Sequence, residues 1–289
     1  MFRRSWGLLL GMAMLPAWAD SISLGGLLDT DHGRSIDLHG RFSPTEALTL
    51  GAGIGSSTTR QGSDELSGNS FEVSADLDAG PIIADASAER WTDSGVLRST
   101  TLHGELGWLG DSGIALSALV THRDMRVTYT TTLLGQPRDK DVDFAGTGFG
   151  ADLSYFGETW NSGVRFLRYD YGQSVERARQ ALAASSTVRF PRLAQLIGSV
   201  ATQAAGAPDR EFSGVLGRQI AGYTLTGDLQ WQRDAVTGDK TKSAGLTLGL
   251  KPATHVGVDV SAGVSRNATA GTVPWAGFTL TLLRAAPPR

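Results

Sequence analysis

Acidic and histidine side chains lie close together at two places in the sequence, and these residue types could do chemistry. The first run is Asp29-Thr30-Asp31-His32, and the second is Thr121-His122-Arg123-Asp124. A histidine acts as a general base when it lies within hydrogen-bond reach of its nucleophile or water. Neither run matches a catalytic motif or comes with a distant fourth metal ligand. We therefore expect no enzyme activity, no metal site and no cofactor; a hydrolase site at a rim of the fold stays a minor alternative.

A glycine-rich segment, Gly51-Ala52-Gly53-Ile54-Gly55, has the composition of a phosphate-binding loop. Such a loop needs a helix directly after it, because the amide groups at the start of the helix bind the phosphate. No helical pattern follows here. We predict a strand, in which the glycines ease the curvature of the sheet.

Polar and apolar residues alternate along most of the chain. In Phe71–Asp78 every odd residue is apolar and every even residue is polar. The same alternation runs through Ile36–Phe42, Tyr223–Gln232, Leu246–Lys251 and Val256–Ser265. Period-two alternation is typical of β-strands with one apolar and one polar face. The sequence therefore predicts an all-β fold.

Residues 1–19 have the features of a secretory signal peptide. Arg3 and Arg4 make a basic start, a short apolar segment follows, and Ala17-Trp18-Ala19 is a small-x-small cleavage site. The apolar segment is shorter than the about 20 residues that a membrane-spanning helix needs. We expect cleavage, export to the periplasm, and one domain over residues 20–289.

The composition excludes two other classes of exported protein. The chain has no cysteine, so it is not a small scaffold held by disulfides. Its net charge of −3 argues against a nucleic-acid binder. Two classes remain, a soluble β-sandwich and a transmembrane β-barrel of an outer membrane.

The aromatic residues and the strand lengths favour the barrel. Aromatic residues fall near the ends of predicted strands, where the interfacial girdles of a membrane barrel lie: Trp91, Trp108, Tyr155, Tyr171, Trp231 and Trp275. The apolar positions per strand match the about 9–11 residues of a tilted transmembrane strand. Closure also removes the unpaired edges that a sheet cannot leave in lipid. We predict a single transmembrane antiparallel up-and-down β-barrel.

The pattern predicts fourteen strands, at residues 20–29, 34–42, 46–58, 70–78, 81–91, 98–108, 113–124, 142–156, 161–171, 211–219, 222–233, 241–251, 255–265 and 275–284. Twelve stays open, because Ser21–Asp29 and Phe212–Gln219 are weakly patterned. Short connections alternate with longer, more polar ones along the chain. The longer connections are Thr59–Asn69, Thr92–Leu97, Met125–Asp141, Gly172–Arg210 and Arg266–Pro274. Short periplasmic turns and longer extracellular loops are expected of such barrels.

The polar positions of the strands would line the lumen. The lumen-lining residues are Asp37, His39, Arg41, Glu72, Asp76, Asp85, Glu89, His103, Glu105, Asp152, Asp228 and Asp259. The opposing cations are Arg41, Arg123, Arg168 and Lys251. An excess of carboxylates inside low-dielectric walls concentrates cations. The alternative is that the polar residues pair with one another and only satisfy the interior.

The connection at residues 172–210 is long enough to have a function of its own. Ser174 can cap a helix, and Ala178–Ala184 has strong helix propensity. Further on, one helical stripe recurs with i, i+3, i+4 and i+7 spacing: Leu193, Leu196, Ile197 and Val200. We predict a partly helical extracellular loop that folds into the barrel as a constriction, caps the rim or docks a partner.

Across essentially the whole mature chain, the sequence resembles Gram-negative outer-membrane β-barrels as a class. The last strand is similar to their assembly signal, with Gly277, Leu280 and Leu282, although Ala285–Arg289 follows in place of a terminal aromatic. In size and strand number the chain is similar to small porins. The resemblance implies a channel for small hydrophilic solutes or ions, in contact with outer-membrane lipid and the assembly machinery. The alternative is a non-conducting barrel that anchors or assists another envelope component, docked through residues 172–210.

Overall fold

The computed structural model describes residues 19–61, 64–93, 95, 97–133, 136–184, 206–267 and 271–284. Within these residues fourteen antiparallel strands form one closed barrel, in which each strand pairs with its neighbours in sequence and the first pairs with the last. The all-β up-and-down barrel is therefore confirmed with fourteen strands, and the alternative of twelve is wrong. Among the described helices, none is long and apolar enough to cross a membrane.

The strands are β1 (Ser21–Asp29), β2 (Arg34–Phe42), β3 (Leu48–Gln61), β4 (Asp64–Ala79), β5 (Ile82–Asp93), β6 (Leu97–Leu109), β7 (Ile114–Leu133), β8 (Gln136–Phe156), β9 (Trp160–Asp170), β10 (Pro208–Ile220), β11 (Tyr223–Asp234), β12 (Lys240–Ala253), β13 (Val256–Asn267) and β14 (Gly271–Leu283). A helix, α1 (Gln173–Ala184), follows β9.

Two of the predicted loops are instead extensions of strands. The segment Thr59–Asn69 belongs almost wholly to β3 and β4, and Met125–Asp141 belongs almost wholly to β7 and β8. In both hairpins the backbone pairing continues to the tip, with Gln61 opposite Asp64 and Leu133 opposite Gln136. The alternation faded in the sequence because a strand beyond the bilayer has polar groups on both faces, whereas its backbone pairing is unchanged.

The barrel has two distinct ends. Ser21 pairs with Leu283, so both ends of the described sheet lie together, and we name this the terminal end. The turns there are short, and Gly80 and Gly222 adopt positive φ angles of 70° and 99°. Glycine adopts this conformation without strain. The opposite end, named the loop end, carries α1 and the long hairpin of β7 and β8.

The outer face of the barrel is apolar. Leu106, Leu229 and Leu246 are 61–63% exposed, and Phe149 is 65% exposed. A continuous apolar surface of this kind is foreign to a monomeric soluble protein and matches the lipid-facing band of a membrane barrel. The soluble sandwich is therefore wrong for this chain.

Only part of the predicted aromatic girdle faces outward. Trp108 and Tyr155 are exposed on the outer face at the terminal end, and Trp231 lies on the outer face nearer the loop end. Arg218 lies 4.7 Å above the Trp160 ring at the terminal end, a cation–π contact suited to an interface.

Three members of the predicted girdle face inward, so the prediction is wrong for them: Trp91, Tyr171 and Trp275. Each ring lies over a glycine of a neighbouring strand, at Gly68, Gly146 and Gly263 respectively, where a Cβ atom would collide with the ring. Aromatic rings commonly cover strand glycines in this way. Position near a strand end did not reveal which face the ring occupies.

Candidate functional site

The inner face of the barrel carries the titratable residues that the alternation placed there. Each of these side chains alternates with outer-face residues along its strand: Asp37, His39 and Arg41 on β2, Glu72 and Asp76 on β4, Asp85 and Glu89 on β5, His103 and Glu105 on β6, Asp152 on β8, Asp228 on β11 and Asp259 on β13. The structure thus brings most of them to one arc of the wall, β2 to β6.

Carboxylates face one another directly across three neighbouring strands. Asp85 of β5 lies opposite Asp76 of β4 on one side and opposite Glu105 of β6 on the other. Glu72 lies opposite Glu89 in the same pair of strands. Like charges directly opposite each other destabilise a sheet. We name these five residues the acidic row.

Arg165 neutralises one end of the acidic row. Its guanidinium lies 2.8 Å from the Glu105 carboxylate and 3.3 Å from the Asp152 carboxylate. The sequence had indicated Arg168 instead, which lies on the outer face with Phe166. The error arises because β9 has apolar residues on both faces, with Phe166 outside and Leu167 buried inside, so its alternation carries no signal.

The rest of the acidic row has weaker partners. Arg41 lies 3.9 Å from Asp76, and His39 lies 3.8 Å from Glu72. His103 lies 3.9 Å from both Asp85 and Glu105. Arg41 is the one arginine among these partners. The arc formed by β2 to β5 therefore stays acidic.

An apolar cluster lines the inner wall at the loop end. Its buried members are Leu66, Trp91, Leu97, Leu119, Met125, Val127, Phe144, Leu167, Tyr169, Tyr171, Ala178, Ala207 and Ala235. The rings of Tyr169 and Tyr171 are stacked with centroids 6.1 Å apart, and Phe144 packs against Tyr171. The cluster was not predicted, because inward apolar residues break the polar-inside pattern that a water-filled barrel would show.

Helix α1 packs on this cluster at the loop end. Ala178 is buried in it, and Val175 lies against it. The Ser174 hydroxyl donates to the Ala145 carbonyl of β8 at 3.2 Å, and Arg179 donates to the Ala235 carbonyl at 2.7 Å. The helix thus bridges β8 and the turn between β11 and β12.

The helix predicted at the start of the long loop is confirmed. Past it, buried Arg123 of the inner wall donates to the Gly206 carbonyl, so the chain that leads into β10 is also fixed to the wall. The second predicted stripe, Leu193, Leu196, Ile197 and Val200, lies outside the described residues.

The two acid–histidine runs lie in different surroundings. Asp29 accepts hydrogen bonds from the backbone N–H groups of Asp31 and Gly33, at 2.9 and 2.6 Å. These bonds stabilise the tight turn between β1 and β2. Burial raises the pKa of Asp31, and the nearby Asp29 carboxylate raises it further.

In the second run, successive residues face opposite sides of β7. His122 lies on the outer face, 3.5 Å from Asp124, whereas Arg123 points inward. Among the described residues, no group of three or more histidine, cysteine or acidic side chains is arranged to hold a metal ion.

No protein-family model matches the sequence, and no curated protein matches it. Among solved structures, the barrel is similar to the CymD monoaromatic hydrocarbon channel, with a TM-score of 0.52, 11% identity, and coverage of 99% of this chain and 94% of that chain. The chain has the fold of an outer-membrane channel. This channel fold, closed with fourteen strands, agrees with the class resemblance found in the sequence.

Two other outer-membrane barrels align with lower scores. A loop L8 deletion mutant of OmpT, an outer membrane protein of Vibrio cholerae, has a TM-score of 0.48 at 10% identity and covers 92% of this chain and 98% of that chain. OccK11 of Pseudomonas aeruginosa has a TM-score of 0.43 at 12% identity, with coverage of 91% and 94%.

Proposed function

We propose that this chain is an outer-membrane channel for small hydrophilic solutes and that it prefers cations. The observation that carries the proposal is the acidic row. Repulsion between carboxylates opposite each other on adjacent strands costs stability. A lumen that keeps such a row gains a negative field that concentrates cations.

The charge balance of the inner wall supports this preference. Arg165 is engaged by Glu105 and Asp152. Of the other carboxylates, Asp76 has Arg41 at 3.9 Å, whereas Glu72 and Asp85 have histidines at 3.8 and 3.9 Å. Rings of Asp and Glu side chains are a usual basis for cation selectivity in pores.

We place the terminal end in the periplasm and the loop end outside the cell, because short turns are periplasmic in barrels of this type. A solute entering from outside then meets α1 and the apolar cluster first and the acidic row deeper in the lumen. The loop end acts as a constriction, and the acidic row selects by charge.

Neutralising the acidic row is expected to abolish the cation preference. In the variant Glu72→Gln/Asp76→Asn/Asp85→Asn, the permeability ratio of cation to anion should fall roughly tenfold, because the wall loses its counter-ion attraction. The measurement is the reversal potential of single channels in a planar bilayer under a salt gradient. The difference between wild type and variant should shrink at 1 M salt, where the screening length is about 3 Å.

The matched control removes three carboxylates from outside the lumen. Glu65→Gln/Asp124→Asn/Asp170→Asn changes exposed residues of the outer face at the loop end. It should leave the reversal potential unchanged. An equal shift in both variants, or no shift in the first, contradicts selection by the acidic row.

A second candidate function is a non-conducting barrel that anchors or assists another envelope component. The apolar cluster favours it, because Trp91, Phe144 and Tyr171 fill wall space that an open channel would leave to water. This candidate predicts no conductance, together with co-purification of a partner that is lost when residues 173–205 are replaced. A channel predicts conductance whether or not such a partner is present.

A further inference from the structure

A ladder of basic residues crosses the outer face of β9 to β13 near the loop end. Arg210 of β10 lies directly opposite both Arg168 of β9 and Arg233 of β11. On the next two strands Lys242 of β12 lies directly opposite Arg266 of β13, one step nearer the middle of the barrel wall, since Arg233 itself lies opposite Lys240. We name Arg168, Arg210, Arg233, Lys242 and Arg266 the basic ladder. Like charges in directly opposed positions destabilise the sheet that holds them.

The ladder has little internal compensation. The Asp209 carboxylate lies 3.8 Å from Arg210 and 3.6 Å from Arg233. On the other side of the barrel Arg126 also lies opposite an arginine, Arg98 of β6, but there it makes a 2.6 Å ion pair with Asp143 of β8. The longer uninterrupted run of opposed cations lies on β9 to β12, where Arg168, Arg210, Arg233 and Lys240 follow one another across the strands.

A row of aromatic residues fixes the depth of the ladder in the bilayer. Phe212 lies directly opposite both Phe166 and Trp231 on the outer face, two residues from Arg168, Arg210 and Arg233 towards the middle of each strand. Lys242 lies opposite Trp231, at the level of the aromatic row. Aromatic residues of membrane proteins concentrate at the boundary between lipid chains and headgroups. At about 3.4 Å per residue, Arg168, Arg210 and Arg233 of the ladder lie about 7 Å beyond this boundary, level with the headgroups.

An apolar groove of about 1010 Å³ lies on the outer face of the same strands. Its sides include Val164, Leu229 and Leu246, and small residues such as Gly214 and Gly227 leave space between them. The basic ladder lies at its loop end, two to four residues further along the same strands. A charged headgroup site and an apolar channel for chains are thus continuous.

We propose that this face binds a phosphorylated lipid of the outer leaflet, with phosphate on the basic ladder and acyl chains in the groove. Arginine suits the headgroup, because its planar guanidinium bonds phosphate oxygens in pairs. A phosphate group between the strands replaces the repulsion of the ladder with attraction. The groove favours a lipid over a free phosphate ion, because a phosphate ion has no apolar part that could lie in it.

The test measures binding of diphosphoryl lipid A to the purified full chain in detergent by native mass spectrometry. In Arg168→Gln/Arg210→Gln/Arg233→Gln the affinity for the lipid should fall roughly 100-fold, because each cation near an anionic lipid contributes roughly fivefold in affinity. The matched control Arg34→Gln/Arg90→Gln/Arg98→Gln removes three outer-face arginines from β2, β5 and β6. It should bind the lipid as the wild type does.

A second variant tests the groove separately from the charge. At Gly214 and Gly227 the nearest atoms to an added Cβ lie 3.9 and 3.6 Å away, so both positions have room for a side chain. The variant Gly214→Leu/Gly227→Leu therefore places two apolar side chains in the groove, where the acyl chains would lie. It should weaken lipid A binding with the heat-modifiable gel shift of the folded barrel unchanged.

Three results would overturn the proposal. These are equal binding of lipid A and of its fully dephosphorylated form, equal losses in the two arginine variants, or full displacement of the lipid by millimolar inorganic phosphate. None of them bears on conductance, so the outcome is independent of the channel function.

Discussion

Leu248→Arg is expected to impair insertion of the barrel and to destabilise it by about 2–4 kcal/mol, the cost of arginine near the midplane of a membrane barrel. Leu248 lies in the middle of β12 on the outer face, between Leu225 and Val260 of the adjacent strands. An arginine there has only apolar neighbours and lipid chains. The loss is measured as the shift of the urea midpoint for unfolding from lipid vesicles.

The neighbouring residue provides the control. Thr247 lies on the inner face, opposite Thr226 and Ser261. Thr247→Arg places the same charge in the polar lumen, where water and carboxylates solvate it, so the midpoint should move little. Equal destabilisation at the two positions would contradict the assignment of the outer face to lipid.

Replacing residues 173–205 with a short Gly/Ser linker is expected to raise single-channel conductance roughly twofold or more, because pore width limits ion flow. The change removes α1, which packs Ala178 on the apolar cluster and joins β8 to the turn after β11. The barrel should still form, since outside loops tolerate deletion.

A milder variant separates the position of α1 from its presence. Ser174→Ala/Arg179→Gln keeps the helix and removes its hydrogen bonds to the Ala145 and Ala235 carbonyls. Its conductance should lie between those of the wild type and the linker variant. Unchanged conductance in both variants would show that α1 lies clear of the ion path.

The strands could be predicted because lipid imposes a strict pattern on one face. Every residue between Phe71 and Asp78 obeys it, and the structure places Phe71 and Val73 outside with Glu72 inside. Register follows from the same pattern, because a slip by one residue would turn every apolar side chain inward. Even the strand number followed from counting these segments.

The interior could be predicted only in part, because no single solvent requires one type of side chain along the whole inner face. Polar, aromatic and aliphatic residues are all found on the inner wall, from Glu89 to Trp91 two residues further on. The position of Arg165 depended on the register of β9, and the apolar cluster depended on long-range contacts with α1. The inward rings lie against glycines of the neighbouring strand, as Tyr169 does against Gly148, and such pairs are the sequence signal that could have revealed them.

Single-channel recording of the wild-type chain in a planar bilayer, under a salt gradient, tests the central claim most directly. The account predicts discrete conductance steps and a reversal potential with the sign of cation preference, set by Glu72, Asp76 and Asp85. Absence of conductance from a barrel that shows the heat-modifiable gel shift would contradict the channel. A reversal potential with the opposite sign would contradict selection of cations by the acidic row.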